Sequence, residues 1–159
     1  MPPMLKGFKA VPPLVTDIDL SMDDKYLYVA CWGTGDLQQY DVCDPFNPKL
    51  MGKVRIGGIV SKATHPGAKN GALSGGPQMV EISRDGRRVY FTNSLYSSWD
   101  DQFYLDGVAG SMVMARVGDD GEMSLDEKFA PEFPEGYRAH QVRLAGGDCS
   151  TDSFCYPSA

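Results

Sequence analysis

The chain has 159 residues, 42% of them hydrophobic, and a formal net charge of −6. That length supports one domain with a core. The acidic balance argues against a nucleic-acid partner, because phosphate binding wants a basic surface, and no apolar run approaches the roughly 18 residues a membrane span needs. The opening Met1-Pro-Pro-Met-Leu-Lys-Gly7 has no charged segment followed by an apolar one, so no export signal is read there. A cytoplasmic location is expected, with a periplasmic one open for a longer bacterial polypeptide.

Helical periodicity is nearly absent, and short alternating runs stand between Gly, Pro, Asp and Asn clusters, as in all-β chains. A strand opens at Thr16, with Ile18 and Leu20 on one side and Asp17 and Asp19 on the other. A turn at Met22-Asp23-Asp24 leads into a strand over 25–31, and Gly33-Thr-Gly-Asp36 turns into another over 37–42. Asp44-Pro-Phe-Asn-Pro48 breaks the chain before a fourth strand over 49–54. The same grammar restarts at Gln78, with Arg84-Asp85-Gly86 in the place of Met22-Asp23-Asp24 and Gly86 suited to the positive φ of a tight hairpin. Strands over 87–93, 111–117 and 123–129 follow. A third opening, His140-Gln-Val-Arg-Leu144, stands at the same step from Gln78 as Gln78 does from Thr16.

A recurring four-stranded unit of this size is the mark of a β-propeller. The expected fold is an all-β partial propeller: one four-stranded blade over 12–57, a second over 75–130, and the inner strand of a third over 139–145. Two loops, 55–76 and 94–110, are long enough to be functional or contact surfaces. Since the first strand of a blade lies closest to the axis, His140 should stand near one mouth of the central channel.

Several ordered motifs then resemble the selenium-binding protein family, whose characterised members include methanethiol oxidases. They are Pro12-Pro-Leu-Val-Thr-Asp-Ile-Asp-Leu-Ser21, Trp32-Gly-Thr-Gly-Asp-Leu-Gln-Gln-Tyr-Asp41, Gly75-Gly-Pro-Gln-Met79, 94–104, Ala139-His-Gln-Val-Arg-Leu144 and Gly146-Gly-Asp-Cys-Ser150. The resemblance runs from about Pro12 to Tyr156 and corresponds to the C-terminal third or so of a family member. It implies a seven-bladed propeller whose bacterial enzymes use copper to oxidise methanethiol with O₂ and water to formaldehyde, hydrogen sulfide and hydrogen peroxide. His140 matches the histidine of the family's Ala-His motif, and the resemblance gives it the role of copper ligand. The family's selenium-linked cysteine and its other histidine ligands lie upstream of the matched part. Besides a small thiol, the implied partners are the remaining blades or further copies of the chain. Selenium or thiol binding without turnover, and a truncated product with no activity of its own, are the alternative readings.

Other residues carry weaker signals. His65, in a polar loop rich in Pro and Gly, reads as a solvated histidine, with a role over the channel mouth as the alternative. Tyr96, Trp99, Phe103 and Tyr104 read first as staples holding a long loop to the propeller face, and second as an apolar wall for a small thiol. Asp100 and Asp101 lack the further oxygen ligands of a hard-cation site. Asp23 and Asp85 read as hairpin residues. Cys31, Cys43, Cys149 and Cys155 fit no zinc spacing and read as reduced thiols, a Cys149–Cys155 disulfide being the minor reading. Asp148 and Cys149 read as turn residues or as a thiol near the metal. With two histidines and no motif partner for either, no Ser/His/Asp set is argued.

Overall fold

The computed structural model describes residues 2–143 and the short strand Cys149–Ser150. A 3₁₀ turn at Pro3–Leu5 precedes the first sheet, made of β1 (Val15–Leu20), β2 (Tyr26–Cys31), β3 (Asp36–Asp41) and β4 (Lys49–Arg55) in sequential antiparallel order. A two-stranded ribbon, β5 (Gly57–Gly58) and β6 (Ser61–Lys62), begins the long connection. The second sheet holds β7 (Val80–Ser83), β8 (Arg88–Thr92), β9 (Met112–Val117) and β10 (Met123–Leu125), again in sequential order. The strands therefore fall where the alternation places them, within a residue or two at most ends.

Hairpin chemistry explains why the two units match. Ser21 Oγ accepts from the Tyr26 amide at 2.9 Å and donates to Asp23 at 2.7 Å. Ser83 Oγ accepts from the Arg88 amide at 3.1 Å and donates to Asp85 at 2.6 Å. Asp24 and Gly86 hold the same left-handed position, with φ of 57° and 69°. Each Ser-x-Asp pair thus fixes one turn and one register.

The sheets stack face to face, with β1 against β7 and β4 against β10. Inner strand meets inner strand and outer meets outer, as in adjacent propeller blades. Tyr28, Ala30, Leu37 and Val54 of the first sheet interlock with Val80, Ile82, Val89, Phe91, Val113 and Ala115 of the second, forming the main core. The first sheet's other face carries Ile18, Leu20 and Leu50, about half exposed. Ile18 and Leu20 stand one repeat before Val80 and Ile82, which are buried.

Residues 139–143 carry no strand pairing, whereas an inner strand was expected over 139–145; residues 144 and 145 lie outside the described residues. An inner strand ladders with the second strand of its own blade, and the described residues contain no such strand for a third unit. The segment is nevertheless docked as β7 is docked on β1. Thr16 Oγ1 donates to the Gln78 carbonyl at 2.9 Å, and Thr92 Oγ1 donates to the His140 carbonyl at 3.2 Å. Val142 packs with Tyr90 and Met114 on the second sheet's outer face. The inner edge of β7 pairs instead with β11 (Cys149–Ser150), which satisfies an edge otherwise open to solvent.

Between β8 and β9 the chain forms a helix, α1 (Ser97–Phe103), that the alternating pattern did not announce. Its residues Trp99 and Phe103 lie one turn apart and face the same way.

Candidate functional site

Antiparallel alternation decides which loops share a face. β1 leaves the face on which it starts, β2 returns to it, β3 leaves and β4 returns. The β2–β3 turn, the exit after β4, the insertion after β8 and the start of each unit therefore lie together. Thr16, Gln78 and His140 head the three units on this face, joined by the Thr16–Gln78 and Thr92–His140 bonds, while the Gln78 amide donates to the Thr92 carbonyl at 2.7 Å. Gln78 is buried, and its side-chain oxygen has no hydrogen-bond partner. His140 is exposed at the end of this chain of contacts.

The two long loops meet on the same face. Segments 58–62, 73–75 and 103–109 enclose a cavity of about 680 Å³, and Lys62 pairs with Asp106 across it at 3.2 Å. Phe103 and Tyr104 stack edge-on against Trp32, at centroid distances of 5.3 and 4.8 Å, and the Tyr104 hydroxyl donates to the Trp32 carbonyl at 2.6 Å. Phe103 and Tyr104 thus anchor the loop, as the stapling reading expects, and they also line the cavity. Tyr96 remains exposed.

Asp100 is fully buried and serves the loop. Its carboxylate accepts from the Ser94 hydroxyl in a short bond and from the Leu95 amide at 3.2 Å, and Arg138 stands 3.6 Å away. Burial raises its pKa, with Ser94, Leu95 and Arg138 opposing. Asp101 is exposed. Asp23 and Asp85 hold the hairpins described above. Cys31 is buried and Cys43 exposed, both free thiols, and burial raises the Cys31 pKa. Asp148, the Cys149 side chain and Cys155 lie outside the described residues.

The reading of His65 as a solvated histidine is overturned: its side chain is 1% exposed. A bridge between Thr64 and Ala72 folds the loop back on itself and sends Ala68 and Leu73 into the core, which carries His65 inward. Nδ1 accepts from the Gly67 amide at 3.1 Å, so the proton of the neutral ring belongs on Nε2, which has no hydrogen-bond partner.

Sequence reasoning passed over Glu81. It is fully buried on β7, and neither carboxylate oxygen has a hydrogen-bond partner. Burial raises its pKa to about 8, helped by Asp19 and Asp17, while the Val142 amide and Arg143 favour the charged form. The signal available was a glutamate at the second residue of β7, one repeat after Asp19.

The family model described as 56kDa selenium binding protein matches residues 1–155. The chain belongs to the selenium-binding protein family. Its match to the human protein named methanethiol oxidase is 41% identical and covers 95% of this chain and 37% of that one. Selenium-binding protein 3 of Arabidopsis thaliana is 38% identical over 89% of this chain and 34% of its own. The crystal structure of a hypothetical selenium-binding protein from Sulfolobus tokodaii superposes with a TM-score of 0.87 at 57% identity, covering 99% of this chain and 34% of that one. The chain therefore spans about a third of the length of the curated relatives it matches, and its all-β architecture is part of a β-propeller.

A protein copper site takes about three or four donors. Among the described residues no group of three or more His, Cys, Asp and Glu side chains stands close enough to hold a metal. The described residues do not make such a site by themselves.

Proposed function

We propose that this chain supplies one wall of a methanethiol oxidase channel, with His140 as one of several copper ligands and the other donors coming from further blades. By that reading the whole protein takes methanethiol, O₂ and water to formaldehyde, hydrogen sulfide and hydrogen peroxide. The observation that carries the reading is the docking of residues 140–142 on the second sheet, which brings an exposed imidazole to the face where the units begin. Family membership and relatives named methanethiol oxidase support it. A copper ion, when bound, would supply one-electron chemistry with O₂ and an attachment point for sulfur. This chain's own residues would hold one ligand and shape the entrance through the loops over 58–62 and 103–109. The outer face of the first sheet, with Ile18, Leu20 and Leu50, would take another blade.

Selenium or thiol binding without turnover is the second reading, favoured by the lack of a three-donor cluster among the described residues. The test joins this chain to the upstream two-thirds of the Sulfolobus tokodaii relative and measures bound copper and hydrogen sulfide release from methanethiol. Oxidase function requires about one copper per chain and turnover, with both reduced by His140→Ala. Copper and turnover unchanged in that variant remove His140 from the site, and thiol binding without hydrogen sulfide release selects the second reading.

A further inference from the structure

Glu81 is clamped between β7 and residues 140–143. Its neighbours Val80 and Ile82 point into the core between the sheets. Glu81 itself stands on the opposite face, paired across the ladder with Tyr90, which packs with Val142. A carboxylate ionised there would have only the nearby Val142 amide to favour its charge, with no well-formed hydrogen bond on either oxygen and no contact with water.

The charges around it do not compensate. From β1 come Asp19 and Asp17, the latter already accepting from the Val80 amide at 2.7 Å. From β8 come Tyr90 and Arg88, whose Nη1 donates to the Tyr90 hydroxyl at 3.5 Å. β9 offers Met112 and Met114 on this face, and its Arg116 is bonded to Asp126. From the covering segment come the Val142 amide and Arg143, whose residue is exposed, so water screens its charge. Two carboxylates against one exposed guanidinium leave the neutral acid as the form that fits.

The His140 carbonyl bonds to Thr92, and Val142 inserts beside Tyr90 and Met114. Ionising Glu81 beneath it draws water in, and the simplest route for that water is to lift residues 140–143.

We propose that Glu81, as a neutral carboxylic acid, is a positioning residue that keeps the segment carrying His140 docked on the second sheet, so that this docking is linked to one proton. The inference deepens the reading of His140 as a hub residue, and its test uses neither copper nor thiol. Its consequence is that the imidazole is presented at fixed geometry when the carboxyl is protonated and released when it is not.

The experiment follows the whole chain, isotope-labelled, by NMR from pH 6 to pH 10. The Glu81 carboxyl carbon is expected to titrate near pH 8. Hydrogen-exchange protection of the Val142 amide, corrected for intrinsic exchange, should fall about tenfold per pH unit from pH 6 up to that midpoint, the slope for one proton, and level off above it. The Val80 amide, capped by Asp17, serves as the unmoved control. Glu81→Gln, a permanent stand-in for the neutral acid, should keep Val142 protected throughout. A purely structural glutamate would instead lose protection in that variant at every pH. Protection in the native chain that is flat across the range, or that falls with the same slope in Glu81→Gln, overturns the proposal; the first outcome needs no variant.

Discussion

Asp23 and Glu81 show how differently one repeat uses its carboxyls. The Lys25 side chain, then the Ser21 hydroxyl, hold the Asp23 pKa down to about 2 from an ordinary 3.8. A lowered folded-state pKa means stability fully present above pH 3.8 and lost as pH falls through about 2. Asp23 is half exposed, so solvent screening keeps the effect small. Glu81 has the opposite sign. Raised from 4.5 to about 8, it contributes fully below 4.5 and loses that contribution as pH rises through 8. Urea midpoints measured against pH should therefore decline between about pH 4.5 and 8 in the native chain and stay flat there in Glu81→Gln, while Asp23→Ala flattens only the acid limb. At the equivalent hairpin, Asp85→Ala should cost about 1 kcal/mol, since the buried Ser83 hydroxyl and the Arg87 amide lose their acceptor. Urea unfolding of that variant checks it.

Strands and loops differ in how far a linear sequence reveals them. The repeat was legible because alternation and Ser-x-Asp turns are local, and local chemistry sets both the strand and its register. Which face each strand buries was not, because Leu20 and Ile82 look alike until the stacking of the sheets is known. Leu20 is 44% exposed and Ile82 is 0% exposed. Ile82→Ala should cost about 2–5 kcal/mol, as for other buried large-to-small changes, and Leu20→Ala less than about 1 kcal/mol; chemical denaturation of the pair decides it. The loop over 94–110 hid a helix, since one turn of aromatic spacing between Trp99 and Phe103 is too short a pattern to outweigh the surrounding polar residues. His65 was misplaced for a related reason: its burial follows from a bridge between Thr64 and Ala72 that no spacing rule foretells. His140 was legible as the start of a third unit but not as a strand, since 139–143 carry no pairing, and the buried acid beneath its segment depends on docking between units and leaves no local trace. Tyr104→Phe tests the loop anchor, with an expected cost of about 1 kcal/mol for the lost bond to the Trp32 carbonyl.

For the whole molecule, the decisive feature is the asymmetry between the two sheets. Face-to-face stacking buries the second sheet's Val80, Ile82, Val89 and Phe91 against the first. The residues one repeat earlier, Ile18, Leu20, Leu27 and Val29, have no sheet over them and are exposed or half-buried, as are Tyr40 and Leu50 on the same face. Burying half of each of these six side chains is worth about 1 kcal/mol apiece. Much of that total of roughly 6 kcal/mol is spent on ordering and on lost translational and rotational freedom, so the association it supports is weak. The isolated chain is therefore expected to self-associate at millimolar concentration and to dissociate on dilution into the low micromolar range, despite a net charge of −6 that opposes it. Sedimentation velocity over that range measures the transition. Replacing Ile18 and Leu20 together by Lys should hold the chain monomeric throughout while moving the urea midpoint little, because neither side chain belongs to the core. A native chain that sediments as a monomer at every concentration would mean that this face is content with water. A lysine pair that unfolds the chain would place it inside the fold.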